Sequence, residues 1–121
     1  MAKLNGVDIL VNDKRDAYAV LVSGSFGAGW STWNDPRIGY DKRVVEFYMA
    51  RYGAEDLTSE EIKQFLTNCG YKNTYIGGWD GLQIVWVPLG RFWKMTEYDG
   101  AEGIDVFDPT KWNCVHGRDI Q

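Results

Sequence analysis

At 121 residues and 13.8 kDa, with 45% hydrophobic and 25% charged residues, the chain has the size and composition of one globular domain and is too apolar to be a disordered one. Thirteen Lys and Arg against seventeen Asp and Glu leave a net charge of −4 and a pI near 4.9, which argues against a binder of duplex phosphate backbones. A lone His116 beside Cys69 and Cys114 supplies too few ligands for a Cys/His zinc site.

The amino terminus opens with a hairpin signal, Asn5-Gly6 between Ala2–Leu4 and Val7–Val11. After the polar turn Asn12–Asp16, the segment Ala17–Ser23 reads as a strand apolar on both faces, as central strands are. Gly24–Asn34 carries three Gly and two Trp without any period and reads as an ordered loop, and Asp35-Pro36 favours a turn. A first helix starts near Asp41, an N-cap residue, with Val44, Val45, Tyr48 and Tyr52 at helical spacing and Gly53 placed to end it. A second helix carries the capping box Thr58-Ser59-Glu60-Glu61, an apolar face of Ile62, Phe65 and Leu66, and a stop at Gly70.

The remainder is strand-rich. Tyr71–Ile76 leads into a tight turn at Asp80-Gly81, and Leu82–Val87 follows as a strand with Leu82, Ile84 and Trp86 on one face. Pro88-Leu89-Gly90 breaks it. Arg91–Thr96 and Ile104–Phe107 are further strands about the turn signal Asp99-Gly100, and Trp112, Cys114 and Val115 predict that part of the tail packs back. The order predicts a single α+β domain: a mostly antiparallel β-sheet with two α-helices inserted between N-terminal and C-terminal strands. Its longest apolar run, Ala17–Val22, is far short of the roughly 20 residues of a spanning helix, and Met1–Gly6 holds no apolar signal core. The expectation is a cytoplasmic protein with no membrane partner and with Cys69 and Cys114 as reduced thiols.

The Gly-rich loop is the most suggestive segment for function. It lacks the Lys-Ser/Thr of a phosphate loop and the glycine spacing of a dinucleotide fingerprint. Its backbone around Phe26, Gly27 and Gly29 can still form an anion nest, with Ser31 and Thr32 as hydroxyl donors and Trp30 and Trp33 as stacking platforms. The alternative is that both Trp anchor the core and the glycines let the backbone turn beneath them. Arg37, Lys42 and Arg43 at the first helix start are the nearest cations for an anionic ligand, or else a solvated helix end. Glu97, Asp99, Glu102 and Asp105 form an acidic run without the spacing of a calcium loop, and they read as turn residues or as a negative face for a basic partner. No metal site is expected there. Cys114 and His116 lack an orienting third group, and Ser23 and Ser25 lack a nucleophile elbow, so no catalytic residue is assigned and no enzyme is expected.

Three stretches, Gly24–Asn34 (GSFGAGWSTWN), Tyr40–Phe47 (YDKRVVEF) and Gly77–Glu102 (GGWDGLQIVWVPLGRFWKMTEYDGAE), make the chain similar to a family of small phage and prophage proteins. That family pairs a glycine–tryptophan loop with a Val-Pro-x-Gly and Glu-Tyr-Asp-Gly tail. The resemblance runs from about Ala17 to Ile104 and brings no activity with it. It implies a phage context, the cytoplasm of a host cell, and a counter-defence role by sequestering a signalling nucleotide or by occluding a host protein. The leading expectation is therefore a non-enzymatic binding protein for a small nucleotide-like anion, without cofactor and assembled as a homo-oligomer that supplies depth for a pocket. The alternative is a protein–protein inhibitor that covers a host nuclease with its acidic face.

Overall fold

The computed structural model describes residues 2–24, 29–98 and 100–107. Strands β1 (Lys3–Leu4) and β2 (Val7–Asp8) form the expected hairpin, because Asn5 and Gly6 both adopt positive φ, 51° and 88°. That pair of dihedrals is what a two-residue turn matched to strand twist requires. Strand β3 (Ala17–Ser23) pairs antiparallel with β4 (Leu82–Pro88), from Ala17 opposite Pro88 to Ser23 opposite Leu82. Strands β5 (Phe92–Tyr98) and β6 (Ala101–Phe107) form a second long hairpin, turned at Gly100 with φ 91°.

Among the described residues every pairing is antiparallel, but the strands divide into three two-stranded ladders rather than one sheet. Pro88, expected to break the strand, instead ends β4, and the turn at Leu89-Gly90, with Gly90 at φ 79°, separates β5 from β4. All seven residues of β3 are buried. One edge of β3 bonds to β4 and the other to the 10–12 segment, through Ala19 N–H to Leu10 at 3.0 Å and Asn12 N–H to Ala17 at 2.9 Å.

Helix α1 (Lys42–Arg51) begins where the Asp41 carboxylate accepts the Arg43 amide and ends at Gly53, φ 84°. Helix α2 (Ser59–Asn68) has the full capping box: Thr58 N–H donates to Glu61 Oε1 at 3.0 Å and Glu61 N–H to Thr58 Oγ1 at 3.2 Å. Val44, Val45 and Tyr48 of α1 and Ile62 and Leu66 of α2 pack with Ala19 and Leu21 on one face of β3. The other face, Tyr18, Val20 and Val22, packs with Val7, Ile9 and Val87 and with half-buried Trp93, Met95 and Ile104 of the C-terminal hairpin. Helices thus cover one side of β3 and the hairpin covers the other, which accounts for its apolar run on both faces. No helix of the described residues is long and apolar enough to cross a membrane.

One strand expectation is corrected. Tyr71–Ile76 joins no ladder. Asn73 sits at φ 56°, and the Asn34 side-chain amide takes the place of a neighbouring strand, accepting from Tyr75 N–H at 2.9 Å and donating to Tyr75 O at 3.0 Å. The expected turn at Asp80-Gly81 is a short 3-10 turn, Trp79–Gly81. The readings placed on Trp112, Cys114, Val115 and His116 lie outside the described residues.

Candidate functional site

Amides flanking and within the glycine–tryptophan loop converge on an anion that the chain supplies itself. The Glu102 carboxylate, 9% exposed, receives Ser23 N–H on Oε1 at 3.0 Å. Its Oε2 receives Trp30 N–H at 2.9 Å, Thr32 N–H at 2.9 Å and the Thr32 hydroxyl at 2.6 Å. Backbone amides have nowhere to go in a buried loop without an acceptor, and a carboxylate satisfies several at once. Thr32 is therefore a donor, as expected, but to a group from β6. Ser31 Oγ is buried and has no hydrogen-bond partner among the described residues. Phe26 and Gly27 lie outside the described residues.

The two loop tryptophans part company. Trp30 is fully buried, edge-on to Trp79 at 6.1 Å, and is a core anchor rather than a stacking platform. Trp33 is 43% exposed and leans on Tyr75 at 5.2 Å, while its Nε1–H donates to Glu97 Oε2 at 3.2 Å. Gly29 is required by this arrangement, since a Cβ there would sit 2.3 Å from the Trp33 ring. No larger residue fits.

Two of the three expected cations are already engaged. Arg37 forks onto Asp35 at 3.1 and 2.7 Å, and Arg43 onto Asp41 at the same two distances. In both cases the Asp caps a helical turn and the Arg two residues later grips the same carboxylate. Asp41 is 1% exposed; its burial raises the carboxyl pKa, but the bonds from Arg43 and the Tyr71 hydroxyl (2.6 Å) outweigh this and hold it below the usual carboxylate range. Burial, together with that bond, pushes the Tyr71 hydroxyl well above an ordinary phenol. Among the described residues Lys42 makes no ion pair, and it lines a 430 Å³ cleft with Lys3, Asp8 and Glu46, to which no described loop residue contributes. The structure therefore does not bring Lys42 and Arg43 into one site with the loop.

The acidic run is not a continuous surface. Glu102 points inward to the loop, and Glu97 accepts from Trp33 and from Gly100 N–H at 2.7 Å. Asp105 is exposed opposite Lys94, and Asp99 lies outside the described residues.

A different cleft is lined by aromatic and cationic residues. It is 470 Å³, opens between the β1–β2 tip, the Pro36–Tyr40 turn and β5, and is walled by Tyr18, Tyr40, Trp93 and Met95. Asn5 Nδ2 donates to the Tyr40 hydroxyl at 2.8 Å, and Trp93 meets the Tyr40 ring edge-on at 6.1 Å, which fixes both rings. Tyr18 is buried, and burial raises its hydroxyl pKa above an ordinary phenol, with the hydrogen bond to Trp93 acting the other way. Arg91 and Lys94 stand at the rim, both exposed, and neither has an ion pair among the described residues. Sequence reading missed this group because its rings come from three distant segments; the local signal was Arg91-Phe92-Trp93-Lys94, cations interleaved with aromatics. Comparison of the chain with protein-family models, curated proteins and solved structures finds no match.

Proposed function

We propose that the protein is a non-enzymatic binding protein that captures a small ring-bearing anion, nucleotide-like in chemistry, in the cleft of Tyr18, Tyr40 and Trp93. One observation carries this reading: an aromatic cleft of 470 Å³ whose rim holds two cations, Arg91 and Lys94, with no carboxylate bound to them among the described residues. The volume falls within the ~300–1,000 Å³ of small-molecule pockets, which are mostly apolar with a few placed polar groups. A ring lies against Trp93 and a phosphate meets Arg91 and Lys94. A net charge of −4 does not oppose this, because charges beyond about 8 Å are screened at physiological salt. Sequestration of a nucleotide signal as a counter-defence role is what the resemblance to phage proteins adds.

Calorimetric titration with a panel of cyclic and linear nucleotides tests the reading. Binding by the wild-type protein that weakens at least about tenfold in Arg91→Ala or Lys94→Ala is the expected result, since a hydrogen bond to a charged group is worth about 1.5–3 kcal/mol. Absence of heat across the panel with folded protein, or affinity unchanged in both variants, would overturn it.

A further inference from the structure

The Glu102 cradle is a second anion site, separate from the aromatic cleft. Its donors among the described residues are Ser23, Trp30 and Thr32, whereas its acceptor arrives from β6, between 70 and 79 residues later in the chain. Three backbone N–H groups and one hydroxyl converge on the two oxygens of a single carboxylate, the donor set of an oxyanion nest. The hairpin that brings Glu102 forms its ladder only within itself. Its polar ties to described residues of the loop include two side-chain contacts, Glu102 on the Trp30 and Thr32 amides and Glu97 on the Trp33 indole.

We propose that this nest is an oxyanion-binding site whose resident anion is the Glu102 carboxylate, so that the β5–β6 hairpin is strapped to the loop by a contact that a free carboxylate or phosphate can replace. In the intact chain the tethered carboxylate competes at a high effective concentration, so a free anion in modest excess displaces little of it. Removing the side chain leaves the donors in place and a vacancy of carboxylate shape. Nothing in this depends on the aromatic cleft, and the two proposals fail independently.

The test is chemical rescue of Glu102→Ala. Thermal unfolding is followed in acetate, in inorganic phosphate and in sodium chloride at matched ionic strength, with amide spectra of Ser23, Trp30 and Thr32. The variant is expected to gain stability in acetate or phosphate, about tenfold in the folding equilibrium constant at about ten times the dissociation constant, and to gain none in chloride. The Trp30 and Thr32 amides shift with the anion, and the gain shrinks when Thr32→Val is added. The acetate and phosphate arms tell which oxyanion the nest takes. A response no different from that in chloride would overturn the proposal. If Glu102→Ala does not fold in chloride, folding induced by acetate or phosphate supports the nest, and an unfolded chain throughout both series contradicts it.

Discussion

Replacing Glu102 by Gln keeps the size of the side chain and removes only its charge and half of its accepting capacity. Among the described residues Oε2 takes three donors and Oε1 takes one. A Gln therefore does best with its oxygen at the Oε2 position, which turns its own N–H₂ toward Ser23 N–H. One buried amide then loses its acceptor, at about 1–3 kcal/mol, and three charge-assisted bonds become neutral ones of roughly half the strength. Together these give an expected loss of about 3–5 kcal/mol, the lower part of their summed range, since no opposite charge is left unpaired. For a chain of 121 residues, with about 2.1 cal/mol/K of unfolding entropy per residue, each kcal/mol moves Tm by about 4 °C, so Tm falls by about 12–20 °C. Urea unfolding by circular dichroism and Trp fluorescence measures this, with exposed Asp105→Asn as the control expected to stay within about 0.5 kcal/mol. If Glu102→Gln also stayed within that range, the carboxylate would not be holding the loop and the reasoning would be refuted.

The loop tryptophans are expected to differ in energy as they do in burial. Trp30→Ala loses about 3–5 kcal/mol and Trp33→Ala about 1 kcal/mol in urea unfolding, and equal losses would contradict the separate placements. Asp41 provides a pH test. Its folded pKa lies below the ordinary 3.8, so its contribution is complete above that value and is lost as pH falls through the lowered one. Asp41→Asn retains an N-cap residue but not the charge, so acid titration of stability should show a shallower loss below about pH 4 than wild type. Parallel acid limbs would remove the Arg43–Asp41–Tyr71 set from the account.

Local rules carried much of the fold. Asn5-Gly6, Asp41 and Thr58 with Glu61 act within a few residues of themselves, and each structure they specify forms where the spacing places it. Ala17–Ser23 was legible because burial on both faces leaves no polar alternation. What escaped depends on contacts far along the chain. Tyr71–Ile76 has strand composition, but Asn34, 41 residues before Tyr75, binds its backbone first. The Gly24–Asn34 segment was legible as a loop, yet its Trp30 and Thr32 amides bind Glu102, which no pattern near Gly24 reveals. Trp30 and Trp33 are three residues apart and read alike; only packing against Trp79 or against Tyr75 separates core from surface. Arg37 and Arg43 looked available because their spacing to Asp35 and Asp41 is ordinary for a solvated helix start, and the fork that consumes each guanidinium is a matter of side-chain geometry.

The most direct measurement is nucleotide titration of the wild-type protein beside the double variant Arg91→Ala/Lys94→Ala, with Trp emission read during each addition and Trp93→Phe assigning the part due to Trp93. Capture in the aromatic cleft predicts saturable heat and a Trp93-dependent change in emission for wild type, with both lost in the double variant while its unfolding midpoint is kept. Binding that survives in the double variant, or a folded wild-type protein that takes up no nucleotide, would contradict it.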